Sequence, residues 1–82
     1  SIYPNPAADK VFVQLDAKGL SADDIREISL SSQTGLEIVR KTDISTVIAN
    51  GIDVKGLPGG IYLVRIRMTD GSVVTQKLVV GH

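Results

Sequence analysis

The segment 52–68 constrains the fold of this chain more strongly than any other. Its second half, residues 61–68, is rich in β-branched and long side chains that alternate between two faces. One face carries Tyr62, Val64, Ile66 and Met68, and the other carries Arg65 and Arg67. Because the side chains of a strand point alternately to its two sides, this alternation predicts a half-buried β-strand.

A sharp corner at residues 58–60 precedes that strand. Pro58 fixes its own φ and lacks a backbone N–H, and the two following glycines permit a positive φ. We therefore predict a sharp turn into the strand, in which a positive φ at Gly60 is permitted. Leu57 and Tyr62 are expected to anchor the two sides of this turn in one core.

Short strands and turns are also predicted along the rest of the chain. The predicted strands are residues 11–15, 25–31, 36–41, 44–49, 52–54, 61–68 and 73–80. Asn50-Gly51 and Asp70-Gly71 are strong signals for two-residue hairpin turns. Residues 20–24 could form a single helical turn, with Ser21 as its cap and Asp24 three residues later.

This spacing predicts one all-β domain over residues 1–82, a small antiparallel immunoglobulin-like β-sandwich of about seven short strands. The register of the last hairpin is left open. A two-residue Asp70-Gly71 loop would place Lys77 on the apolar face of Val64, whereas a β-bulge after the turn would shift the pairing and relieve this conflict.

Composition excludes several classes of function. Nine basic residues balance nine acidic ones and form no basic run, which argues against nucleic-acid binding. The chain has no cysteine for disulfides or a thiolate metal site. No apolar run approaches the roughly 20 residues that a membrane-spanning helix requires.

No residue pattern predicts catalysis, a cofactor or a metal. The one histidine is His82, the last residue, and the serines have no base near them in sequence. Asp16 with Asp23-Asp24 could offer oxygen ligands to calcium, but a helix-start pair placed favourably in the helix dipole is the favoured interpretation. Gly59-Gly60 opens no helix and so forms no phosphate loop. We expect no enzymatic activity.

Several motifs, in order along the chain, resemble the type IX secretion system C-terminal sorting domain. The corner supplies Leu57-x-x-Gly60-Ile61-Tyr62, which is the most recognisable of them. The other matching positions are Tyr3-Pro4-Asn5-Pro6, Asp9-Lys10, Gly35 after Ser32-Gln33-Thr34, and Lys77 before the final apolar residues. The resemblance spans nearly the whole sequence, and the family usually ends almost at its last strand, whereas here Gly81-His82 follow Val80.

The resemblance implies that the domain is a sorting signal, excised from the C-terminus of a longer secreted precursor. In that family a signal peptide takes the precursor to the periplasm, and the type IX translocon recognises the folded domain. Upstream cargo then reaches the cell surface or the medium, commonly after a surface sortase removes the domain. No N-terminal signal segment is present in residues 1–4, so any signal peptide is expected on the precursor.

Two further interpretations stay open at this point. An accessory sandwich domain could bind carbohydrate or protein, although Tyr62 should be buried, Tyr3 lies beside prolines and Phe12 is alone. An intracellular scaffold domain has only its neutral charge in its favour. The Arg65 and Arg67 pair, with Lys77 nearby, is either a solvated strand face that opposes aggregation or a contact with an export component.

Overall fold

The computed structural model describes residues 2–4, 7–14 and 21–81. The strands are β1 (Ile2–Tyr3), β2 (Lys10–Val13), β3 (Ile25–Ser32), β4 (Glu37–Lys41), β5 (Ile52–Asp53), β6 (Gly60–Met68) and β7 (Val73–Val80). The described residues also form an α-helix, α1 (Ile44–Asn50), and a 3₁₀ turn, Ala22–Asp24.

The strands form two antiparallel sheets. One sheet has the order β1-β2-β5, and the other has the order β4-β3-β6-β7. Side chains from both sheets and from α1 make a single hydrophobic core. The predicted all-β, seven-stranded sandwich is therefore confirmed.

Strand β6 lies between β3 and β7, and its two faces differ as the sequence predicts. Tyr62, Val64 and Ile66 are buried and Met68 is partly buried, whereas both arginines of the strand are exposed. Leu30 of β3 lies opposite Val64 in the register. The alternation of β6 thus divides the four-stranded sheet into a core face and a solvent face.

The β6–β7 turn has three residues, 69–71, rather than two. The N–H of Met68 donates to the carbonyl of Ser72 at 2.8 Å, and Gly71 has a φ of 93°. A glycine with positive φ after a tight turn is typical of a three-residue hairpin loop with a bulge. The pairing is therefore shifted by one residue from the two-residue alternative, and Lys77 lies opposite Leu63 instead of Val64.

The same turn is held by Asp70. Its carboxylate accepts hydrogen bonds from the Ser72 hydroxyl at 2.6 Å and from the Ser72 N–H at 2.8 Å. These bonds favour the ionised form, so the pKa of Asp70 lies below its ordinary value, the hydroxyl bond having the larger effect. Ionised Asp70 thus helps to close the hairpin.

The prediction of a strand at residues 44–49 is wrong, since α1 occupies this segment. Ile44 and Val47 are buried and Ile48 packs partly against the core, which is the spacing of one helix face. The predicted Asn50-Gly51 hairpin turn is wrong as well. Gly51 ends the helix instead, with a φ of 77° and an N–H donated to the carbonyl of Val47 at 2.8 Å.

Packing explains why α1 replaces the predicted strand. Its β-branched residues favour a strand locally, but that preference is weak and yields to tertiary context. Here the helix packs against β2, β3 and the 3₁₀ turn. At the start of α1 the Thr46 hydroxyl donates to the Asp43 carboxylate at 2.7 Å.

The single helical turn predicted for residues 20–24 is confirmed over its described part. Residues Ala22–Asp24 form the 3₁₀ turn, and the Ser21 N–H donates to Asp24 Oδ2 at 2.8 Å. Asp23 and Asp24 therefore lie at a helix start, which agrees with the interpretation favoured over a calcium site. Leu20, Asp16 and the predicted end of the strand at Leu15 lie outside the described residues.

Ala7 joins the two sheets. It is fully buried and makes a parallel bridge to Val80 at the end of β7. Its N–H donates to the carbonyl of Val79, and its carbonyl accepts from the N–H of Gly81, both at 2.8 Å. The segment between β1 and β2 is thereby fixed to the last strand of the other sheet.

The corner before β6 has the predicted structure. Gly60 has a φ of 154°, Leu57 packs partly against the core, and Tyr62 is 7% exposed. The Tyr62 hydroxyl donates to the carbonyl of Pro58 at 2.6 Å. One side chain therefore fills the core and also fixes the backbone of the turn.

We predict that Gly51→Ala lowers the free energy of unfolding by about 1–3 kcal/mol, because a positive φ strains any residue with a Cβ. A Cβ there would also lie 2.9 Å from the Val11 carbonyl oxygen and from the ring of Phe12. Gly56→Ala is the matched control, since a Cβ at that position meets nothing within 4 Å. Chemical denaturation of both variants measures the difference, and equal stabilities would contradict the packing of β2 against the end of α1.

We predict that Tyr62→Ala costs about 3–5 kcal/mol of unfolding free energy, since it empties a buried aromatic site. Tyr62→Phe keeps the ring and loses only the bond to Pro58, which should cost about 0.5–1.5 kcal/mol. Urea unfolding followed by circular dichroism measures both. An unchanged midpoint for Tyr62→Ala would show that the ring is exposed in solution.

Candidate functional site

The described residues offer surfaces rather than a catalytic centre. They contain no group of three or more acidic or histidine side chains that could hold a metal ion. In the same part of the chain, no helix has the length and apolarity needed to cross a membrane. The candidates for a functional site are therefore the motif residues and the charged faces of the sheets.

The N-terminal motif residues lie around β1 and the start of β2. Tyr3, Pro4, Asp9 and Lys10 are all exposed. The carbonyl of Asp9 accepts the N–H of Val54 at 2.8 Å, which connects this motif to the segment that precedes the corner. Asn5 and Pro6, the other members of the motif, lie outside the described residues.

Gly35 lies in the turn between β3 and β4 and has a φ of 96°. Glycine adopts such a positive φ readily because it has no Cβ. Its N–H donates to the carbonyl of Ser32 at 2.9 Å, and the hydroxyls of Ser32 and Thr34 are hydrogen-bonded at 2.9 Å. The Ser32 hydroxyl also accepts the N–H of Leu36 at 3.1 Å. A dense local network thus shapes this exposed turn.

Three of the motif regions meet at one end of the four-stranded sheet, which we call the motif end. In the register, Gly60 lies opposite Val80, and Tyr62 lies opposite both Leu78 and Ser32. The corner, the end of β7 and the turn that contains Gly35 therefore share this end. Ala7 brings the N-terminal motif to it through its bridge to Val80.

The remaining motif residue, Lys77, lies on the solvent face of β7. Its side chain is exposed, and its register partner is Leu63. Tyr62, in contrast, is part of the core, and Leu57 packs partly against it. The structure therefore separates motif residues that stabilise the fold from motif residues that a partner could contact directly.

The solvent face of the four-stranded sheet carries the ion pairs of Arg40. The Arg40 guanidinium contacts Glu37 Oε2 at 3.1 Å and Glu27 Oε1 at 3.4 Å. The hydrogen bond to Glu37 and the two negative charges raise the pKa of Arg40 above its ordinary value. Arg65 and Arg67 lie on the same face, both exposed, as the alternation of β6 predicts.

One expectation about aromatic residues is wrong. Phe12 is not alone, because Tyr3 stacks on it with the ring centroids 5.5 Å apart. Tyr3 is 50% exposed, so the pair forms a partly open aromatic surface on the three-stranded sheet. The sequence could not pair these residues, since their contact depends on the register of β1 with β2.

Sequence reasoning also missed Ala7 and the two serines of β3. Ala7 carries no chemical signal, and only its bridge to Val80 shows its importance. Ser29 and Ser31 are 7% and 4% exposed, although they lie on the solvent face. Their signal was the alternation with Ile28 and Leu30, which places two small polar residues on one face of β3.

Comparison with known proteins gives two matches. A family model described as the secretion system C-terminal sorting domain matches residues 1–81. Karilysin from Tannerella forsythia is 33% identical over 87 aligned residues, which cover 96% of this chain and 18% of that protein. The chain thus spans less than a fifth of the curated relative that it matches. No solved structure matches the chain.

The family model covers almost all of the chain, and it agrees with the resemblance that the motifs carry. The structure also has the two antiparallel sheets that the spacing of strands and turns predicts. The chain therefore belongs to the family of secretion system C-terminal sorting domains, which are the type IX sorting signals of exported cargo.

Proposed function

We propose that this domain works as a folded address without catalytic activity, joined to the C-terminus of a larger cargo protein. The single observation that carries the proposal is the family match over residues 1–81. The short coverage of karilysin, 18% of its length, supports a cargo region upstream of the domain. The domain boundary that we propose is the whole chain, residues 1–82.

The proposed route has three steps. A signal peptide on the precursor directs it to the periplasm, where this domain folds. The type IX translocon then recognises the folded domain and moves the cargo across the outer membrane. At the cell surface a sortase removes the domain, and the cargo is anchored or released.

Recognition of a folded domain is supported by the motif end. Its motif residues are far apart in sequence, and they come together through the Ala7–Val80 bridge and through the pairing of β6 with β7. A translocon that binds this end would distinguish folded cargo domains from unfolded chains. We propose contact roles for the exposed Tyr3, Pro4, Asp9, Lys10, Gly35, Gly60 and Lys77, with Asn5 and Pro6 as further motif members, and folding roles for Leu57 and Tyr62.

The Tyr3–Phe12 pair supports a second candidate, an accessory module that binds carbohydrate. Exposed aromatic rings can stack on sugars, and Tyr3 is half exposed. A Tyr3→Ala variant that loses measurable binding to a soluble glycan would favour this function. If neither the unaltered chain nor the Tyr3→Ala variant binds the glycan, the carbohydrate-binding function is excluded.

We predict that fusing this chain to the C-terminus of a periplasm-directed reporter moves the reporter to the cell surface or the medium. Export should require a host with the type IX machinery, because the domain supplies only the address. Fractionation with surface labelling measures the location of the reporter. Full export of the reporter without the domain would contradict the proposal.

In the same assay, Lys77→Ala tests one motif residue. Because its side chain is exposed, the substitution should change stability by less than about 0.5 kcal/mol. Reduced export of this stable variant is the expected result, and Lys41→Ala on exposed β4 is the matched control. Unchanged export of Lys77→Ala would remove Lys77 from the recognised surface.

A further inference from the structure

A shallow groove of about 280 Å³ runs along the solvent face of the four-stranded sheet. Its floor contains Ser29 and Ser31 of β3, which are almost completely buried. Arg40 of β4 stands on one side, and Arg65 and Arg67 of β6 stand on the other. None of the motif residues except Gly35 contributes to it.

The groove results from the register of the sheet. Ser29 lies opposite Arg40 on one neighbouring strand and opposite Arg65 on the other. Two short side chains on β3 are thus flanked by long ones on β4 and β6. This difference in side-chain length makes a trough that follows the direction of the strands.

The charges along the groove are not balanced. Arg40 contacts two carboxylates, those of Glu27 and Glu37. In the described part of the chain, neither Arg65 nor Arg67 has a carboxylate within 4 Å, even though Glu27 is the register partner of Arg67. With Glu27 and Glu37 both in the lining, the groove carries three arginines and two glutamates, and its excess positive charge lies on the β6 side, at Arg65 and Arg67.

We propose that this groove binds an extended acidic segment of the export component that recognises the folded domain. Arg65 and Arg67 are two residues apart on one strand, so they are separated by about 6.6 Å. Alternate side chains of an extended segment lying along the groove have the same spacing. Each arginine can bind a carboxylate through two parallel hydrogen bonds, which favours a segment with Asp or Glu at every second position.

The shape of the surface favours a protein segment over an anionic membrane. A flat membrane surface would contact the guanidinium groups of the arginines, but it would not fill the space above Ser29 and Ser31. The groove rim also includes Thr75 and Val73, and Val73 is 48% exposed. These two residues can contact the side chains of the bound segment that lie between its acidic residues. This inference rests on the proposed function only for the source of the segment.

A binding experiment tests the groove directly. The probe is a synthetic peptide of alternating Glu and Thr, titrated into the isotope-labelled chain at low salt, with NMR shifts as the readout. We expect shifts at Ser29, Ser31, Arg65 and Arg67, and weaker binding as salt screens the charges. A peptide of alternating Lys and Thr should leave these signals unchanged.

Charge variants separate the arginines from the general charge of the domain. Arg65→Glu/Arg67→Glu should weaken binding of the acidic peptide by about tenfold, since two attractive pairs become repulsive. Arg26→Glu is the matched control, because Arg26 is exposed on β3 but does not line the groove. Since Arg67→Glu also places a carboxylate opposite Glu27, the neutral pair Arg65→Gln/Arg67→Gln is measured alongside, and thermal melting confirms that each variant is folded.

The reporter fusion distinguishes failure of this inference from failure of the proposed function. We expect the Arg26→Glu fusion to be exported and the folded double variants to retain the reporter in the periplasm. Normal export of both folded double variants would overturn the groove as a second recognised surface beside the motif end, while leaving the sorting function intact. If the unaltered domain exports nothing, the sorting function itself fails. Binding of phosphatidylglycerol vesicles that depends on Arg65 and Arg67, without peptide binding, would overturn the choice of a protein segment.

Discussion

The alternation of β6 between two faces is the constraint on which the rest of the structure depends. The strand pairs with β3 on one side and with β7 on the other, so its register fixes which side chains of three strands face the core. A slip by one residue would send Arg65 and Arg67 inward and expose Tyr62 and Val64. Burial of Tyr62, Val64 and Ile66 makes such a slip costly, and the corner bond from Tyr62 to Pro58 fixes the start of the strand.

The same register gives the two faces of the four-stranded sheet different roles. Its core face holds the sandwich together by packing Leu30, Val64 and Leu78, which are completely buried. Its solvent face keeps the cations of β6 and β7 in water, because the three-residue turn ending at Gly71 places Lys77 opposite Leu63. The conflict between Lys77 and Val64 is thus resolved by the turn, without any change in the strand itself.

The Ala7–Val80 bridge gives a physical reason for a sorting signal to be a whole domain. The motif residues lie near both ends of the chain and in its middle, and they come together only when the strands have paired. A deletion from Lys77 onwards would remove the partner of Ala7 together with half of β7, the outer strand of the β6–β7 hairpin. Loss of export after such a deletion would therefore report unfolding as much as lost recognition, which is why single exposed substitutions are the more informative variants.

The sequence by itself determined the elements whose signals are local. The alternation of β6 and β3, the corner at residues 58–60 and the Ser21–Asp24 cap all depend on neighbouring residues, and each lies where the pattern predicts. Only the tertiary structure decided α1, the shifted hairpin register, the Tyr3–Phe12 stack and the serine-floored groove. The segment of α1 shows the reason, because its β-branched residues favour a strand locally while burial of Ile44 and Val47 on one helix face favours a helix. Such a balance is settled by contacts between residues that are distant in sequence, and no local pattern contains them.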